Sequence, residues 1–122
     1  MAFLSKDQLL TIAESIPTEN VPIPEAGDDA SVIVRGMTAL ERNNFEKQFV
    51  DRGGKSIPGK MIEYRQRLLV ACCRNPDGSA MFTVEDIAIL GQRSIVIVER
   101  LVNACMRVCG IAQGDVESLA KN

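Results

Sequence analysis

The 122-residue sequence contains no histidine, and that one absence removes many functions at once. Without histidine there is no Ser-His or Cys-His nucleophile system, and both the commonest general base and the commonest metal ligand are missing. A basic excess is lacking too: 14 Lys and Arg face 16 Asp and Glu, a net charge of −2. Such a balance gives no reason to expect nucleic acid or an anionic membrane as the main partner. No apolar run approaches the ~20 residues needed to cross a bilayer. Ser5, Lys6, Asp7 and Gln8 fall where the apolar centre of an export signal would lie. The four cysteines (72, 73, 105 and 109) include no CxxC knuckle. In a chain without export features they are expected to be reduced thiols packed as small hydrophobes; the alternative of four thiolates holding zinc lacks the usual spacing. No cofactor and no metal is expected.

What is present suits one soluble domain, with 46% hydrophobic and 25% charged residues. The expected organisation is an N-terminal helix over residues 1–17, a main domain over 18–112 and a C-terminal tail over 113–122. Ser5 caps a first amphipathic helix to Ile16, with Gln8 three residues on and Leu9, Ile12, Ala13 and Ile16 on one face. Pro17, Pro22 and Pro24 forbid regular helix in the next stretch. "SVIVR", Ser31 to Arg35, is the best strand candidate. Val21 to Ile23 is its expected partner across the Glu25–Asp29 turn, held at an edge by the flanking prolines. A two-stranded ribbon of this kind is marginal alone and must lie on helices.

Thr38 and Glu41 in "TALE" form a capping box opening a helix with Leu40, Phe45 and Phe49 on its apolar side. Pro58 starts another, expected to run to about Arg74. Thr83 in "TVED" caps a short helix ended by Gly91, with Asp86 at the third position. Ser94 to Cys109 is the strongest element. Ile95, Val98, Val102, Cys105 and Cys109 make one stripe, and Ile97, Leu101, Ala104 and Val108 an adjoining one. "IVIV" alone suits a strand; the continuation to Cys109 and the stop at Gly110 favour helix. One or two helical turns are expected over Asp115 to Ala120. The fold class is therefore mainly α, a compact bundle of about five helices with a short two-stranded β ribbon.

Two near-motifs fail on spacing. If Gly78 in "CCRNPDGSAMFTVEDIAIL" were the sixth position of a calcium loop, the first and twelfth would be Cys73 and Val84, neither a carboxylate. Asn75-Pro76-Asp77-Gly78 instead suits a type I turn. "GKS" at Gly54 to Ser56 would place the first glycine of a phosphate loop at Phe49, inside a helix; a flexible inter-helix loop is the expectation. Arg65, Arg67 and Arg74 are read as a solvated or partner-facing edge.

The order of these elements resembles a known family. "VPIPEAGDDASVIVRGMTALERNNFE", Val21 to Glu46, resembles the ribbon and first helix of the tail assembly chaperones of long-tailed bacteriophages. The segment from "LLVACCRNPDG" to "NACMRVCGI" resembles their helix, Asp-Gly turn, capped helix, Leu-Gly break and long apolar helix. The final "DVESLAKN" also fits. The resemblance spans about residues 20–122; the tryptophan-glycine pair expected near Glu25–Asp29 is absent, and residues 1–16 look like an added helix.

The resemblance implies a non-enzymatic protein. It would bind the tape measure protein, keep it soluble, and recruit the tail tube protein in the host bacterial cytoplasm. Absence from the mature virion, self-association and a frameshifted longer form are implied in the same way. A helix with two apolar stripes can keep one for its core and offer the other to a partner. The candidate partner-binding residues are Leu40, Phe45, Ile97, Leu101 and Val108, with core packing the alternative for each. The competing function is a small cytosolic self-associating adaptor or regulator without catalysis; a thiol redox protein is a third.

Overall fold

The computed structural model describes residues 2–122; Met1, the first residue of the expected N-terminal helix, lies outside the described residues. The chain runs α1 (Lys6–Ile12), β1 (Thr18–Pro22), β2 (Ser31–Arg35), α2 (Ala39–Lys47), α3 (Pro58–Met61), α4 (Tyr64–Cys72), β3 (Cys73–Arg74), α5 (Ile87–Leu90), α6 (Ile95–Cys109) and α7 (Gln113–Lys121). The fold is mainly helical with a small antiparallel sheet, as expected, although two of the seven helices among the described residues, α3 and α5, are single turns.

The centre is α6. Val98, Leu101, Val102, Ala104, Cys105 and Val108 are all buried on it. Both apolar stripes are covered over most of their length, because α4 packs against the helix and the β1–β2 ribbon also lies on it, while Ile95 at the N-terminal end stays 58% exposed. In the ribbon Glu19 is opposite Val34 and Val21 opposite Val32, so these four share one face. Glu19 on that face pairs with Arg107 of α6 at 2.6 Å. At the other end Arg100, two turns earlier on α6, grips Glu25 with two bonds of 2.8 and 2.9 Å. This bidentate hydrogen bond from Arg100 lowers the Glu25 carboxyl to about 2.

The sheet differs from expectation in two ways. The partner strand is Thr18–Pro22 rather than Val21–Ile23, and Pro22 closes its end opposite Ser31. A third strand, β3, pairs with β2 through Ile33–Arg74 and Val34–Cys73. Two residues carry no periodicity, so β3 exists only through the strand beside it. It continues into a small hairpin: Gly78 N–H donates to Asn75 O at 2.9 Å, and Arg74 bridges Ala80. The expected turn is therefore present, as the tip of that hairpin.

Helix limits also differ. α1 ends at Ile12 rather than Ile16, where Glu14 and Ser15 donate to the third residue back and Pro17 restricts Ile16 to extended backbone. The helix expected from Pro58 to Arg74 is interrupted at Ile62–Glu63, with Glu63 at φ −93°, ψ 14°. Past this break Tyr64 joins the core, while Ile62 remains 79% exposed. By contrast α6 matches its expected span. Gly110 stops it at φ +66°, with Ile111 N–H returning to Met106 O and Gly110 N–H to Arg107 O, a Schellman cap. At the C-terminus, where one or two helical turns are expected, α7 runs from Gln113 to Lys121 and buries Leu119 in the core.

Candidate functional site: an apolar groove beside alpha 2

Five residues were expected at a partner surface, and the structure divides them. Leu101 and Val108 are interior residues of α6, covered as described above. Ile97 is half-buried and packs on the core. On α2, Leu40 is 68% exposed and Phe45 only 5%. The second stripe of α6 is thus taken up by the chain's own ribbon, a cover that helical spacing alone cannot reveal.

Phe45 nevertheless reaches a surface. It lines a groove of about 400 Å³ together with Met37, Val70, Ala71, Val84 and Ile87 and the polar Glu41, Asn44, Gln48 and Arg67. Buried Phe45 and Ile87 form the floor, and Val84, 65% exposed, stands on the rim. Three segments wall this groove. The capping box of α2 fixes its first wall: Glu41 N–H donates to Thr38 Oγ1 at 3.1 Å, and Thr38 N–H to Glu41 Oε1 at 2.8 Å. α4 supplies the second wall. The third is the turn Val84–Asp86, held by Thr83 N–H donating to Asp86 Oδ2 at 2.8 Å. Here only half of the expected box forms, because the Thr83 hydroxyl turns to Glu85 at 2.7 Å.

The charges at the groove already have partners. Arg67 bonds Glu63 and Gln48, each at 2.8 Å, and Glu41 pairs with Arg35 at 3.3 Å. An apolar occupant would therefore strand no bare charge. Leu40 lies elsewhere, on a more open groove between α2 and α7 that also carries Val50 and Leu119.

Other candidate sites resolve into scaffold. Asp77 accepts from both the hydroxyl and the N–H of Ser79, at 2.6 and 2.9 Å, and the hydroxyl bond leads in holding its carboxyl low. The "GKS" loop is tied rather than loose: Asp51 Oδ1 takes the N–H groups of Gly53 and Lys55, donors a phosphate would need. Arg65 pairs with Glu99 at 2.7 Å, and Arg74 donates to Ala71 O at 3.0 Å. Burial pushes the Tyr64 hydroxyl up to about 12. Among the described residues no group of three or more Cys, Asp or Glu is arranged to hold an ion, and no helix is long and apolar enough to cross a membrane.

The cysteines gather where α4 meets α6, with Cys72 Sγ 3.4 Å from Cys109 Sγ. Hydrogen bonds to Cys72, and then burial, hold the Cys109 thiol up, and the bonds from Cys105 and Cys109 lower Cys72. Access overrides that lowering: Cys72, Cys73 and Cys105 are each 0% exposed. A thiol reagent at neutral pH is therefore expected to modify at most Cys109 promptly in the native protein and all four cysteines in denaturant. Prompt reaction of two or more native thiols would contradict this packing.

No family model, curated protein or solved structure matches the chain. The groove residues Met37, Asn44, Val70, Ala71, Val84 and Ile87 were not legible as a set in the sequence. They come from separate segments, and within each one they read as ordinary helix or turn positions.

Proposed function

We propose that this chain is a tail assembly chaperone of a long-tailed bacteriophage, binding a helical segment of the tape measure protein without catalysis. In this role it keeps the tape measure soluble in the host bacterial cytoplasm and recruits tail tube protein, and it is left out of the finished virion. The observation that carries the proposal is the groove floored by Phe45 and Ile87. It is apolar, open along one side and bordered by charges that are already paired, which suits the apolar face of a client helix. The elements behind the family resemblance support it as well, since the ribbon, α2 and α6 contribute Val21, Val34, Phe45 and Val102 to one shared core.

Co-expression with the tape measure protein tests the role. The expected result is a soluble complex that carries both chains, with the tape measure insoluble when expressed alone. A tape measure protein equally insoluble in the presence of the chain would count against the proposal. The second reading, a self-associating adaptor, is favoured by one observation, the uncovered apolar side of α1. A soluble tape-measure complex separates the two.

A further inference from the structure

The four cysteines come from two places in the chain and meet at one. Cys72 ends α4 and Cys73 opens β3, while Cys105 and Cys109 lie one turn apart on α6. Cys72 faces that second pair: its Sγ is 3.4 Å from Cys109 Sγ, and Cys105 also hydrogen-bonds to it. Only Cys109 reaches the surface, where it is half-buried; the other three are 0% exposed. A buried thiol is thus in contact with one that a small solute can touch.

We propose that Cys72 and Cys109 form a dithiol oxidation site, at which a small hydroperoxide converts the two thiols into a disulfide that joins α4 to α6. Cys109 is the sulfur that the oxidant meets. It attacks one peroxide oxygen as the O–O bond breaks, and its proton leaves with the displaced oxygen as water, so that Cys109 becomes a sulfenic acid. Cys72 Sγ then attacks the Cys109 sulfur. The S–O bond breaks, and the hydroxyl group departs with the Cys72 proton as a second water. Each sulfur is oxidised by one electron, and the peroxide takes up both.

The local geometry favours this pair over the others. A disulfide holds its sulfurs about 2.05 Å apart, so small side-chain rotations at both residues suffice to close the contact. A Cys72–Cys73 bridge would have to turn the peptide between them, yet Cys73 N–H is bonded to Leu69 O and Cys73 O to Met81 N–H at 3.1 Å. Cys105 has no exposed surface, so an oxidant reaches neither end of a Cys72–Cys105 or Cys73–Cys105 pair. An alkylating reagent stops at Cys109, because it leaves no electrophilic sulfur behind. An oxidant goes further, since the sulfenic acid it makes lies against Cys72. Hydrogen bonds from Cys105 and Cys109 hold the Cys72 thiol low, which suits it as the second attacker. The Cys109 thiol is held up, so the first step is the slow one.

Treatment of the reduced chain with excess hydrogen peroxide, followed by intact-mass and peptide analysis, tests the site. The expected product is a single chain lighter by two hydrogens, with Cys72 joined to Cys109 and with Cys73 and Cys105 free to be alkylated in denaturant. Dithiothreitol should reverse it. The bridge spans 37 positions of the chain, so oxidation should raise the urea midpoint by about 1 M or more. Cys72→Ala should leave a sulfenic acid at Cys109 that dimedone captures, and Cys109→Ser should protect the remaining thiols.

A wild-type chain that keeps all four thiols under excess peroxide overturns the inference. So does Cys109 driven to sulfinic acid beside an unreacted Cys72, a bridge between any other pair, or a link between two chains. A urea midpoint that does not rise overturns it too, since the sulfurs would then meet only in an opened chain. None of these results bears on the tape measure assignment, which uses neither cysteine.

Discussion

Gly36→Ala is expected to destabilise the chain by about 3 kcal/mol or more, the upper range for forcing an atom into a packed interior. Gly36 is buried where β2 ends, and a Cβ there would overlap the carbonyl oxygen of Val108, with the carbonyl carbon only 3.1 Å away. Both atoms are backbone of α6, so no rotamer change relieves the clash. Retreat is also blocked on the other side, because Gly36 N–H is bonded to Pro17 O at 2.8 Å. To admit the methyl group the ribbon must lift from α6, and the Glu19–Arg107 pair and the cover over Val108 would be strained with it. Urea denaturation checks this: with a slope of about 1.5 kcal/mol/M, the midpoint should fall by about 2 M. A loss under about 1 kcal/mol would mean that the ribbon is seated more loosely than the structure shows.

Phe49→Ala is expected to cost about 3–5 kcal/mol. Phe49 is 0% exposed, and its ring centre lies 5.1 Å from that of Phe45 and 5.1 Å from that of Tyr64. Phe45 and Tyr64 complete the triangle at 5.6 Å, with their planes at 75°. The sequence holds only 4 Phe and 1 Tyr, so three of its five aromatic residues meet here. The truncation removes an edge-to-face contact with Phe45 and a tilted one with Tyr64 as well as buried area. Against a total stability of about 5–15 kcal/mol, that leaves a marginal fold. Leu40→Ala, from the same apolar side of the sequence pattern but 68% exposed, should stay within about 0.5 kcal/mol. Equal losses for the two substitutions in thermal or urea unfolding would contradict the burial of Phe49.

Local chemistry explains what could be read in advance. The Ser5–Gln8 and Thr38–Glu41 boxes and the Gly110 stop act within a few residues, so the sequence pattern locates them well. The break at Ile62–Glu63 does not interrupt the apolar spacing, so nothing local marks it. β3 depends on β2 being alongside, a contact between segments distant in sequence. The candidate site was only partly legible for the same reason. Leu101 and Val108 have the spacing of a presented face, but whether a ribbon or a partner covers them depends on contacts distant in sequence. Phe45 has the spacing of an apolar helix face, whereas the wall opposite it, Val70, Ala71 and Val84, forms only once α4 and the following turn are folded back.

The proposed role places an apolar helix of the tape measure protein in the groove between α2, α4 and the Val84 turn. Its most direct test is the affinity of the purified chain for a tape measure segment, measured for wild type, Val84→Lys and Ile89→Lys. Val84 is on the groove and Ile89 is not, and both are exposed, at 65% and 47%, so both variants should fold. The expected result is binding by wild type and Ile89→Lys alike, and a loss of roughly tenfold or more for Val84→Lys, since a charge at the rim then meets the apolar face of the client. Equal binding by all three proteins, or no binding by wild type, would contradict it.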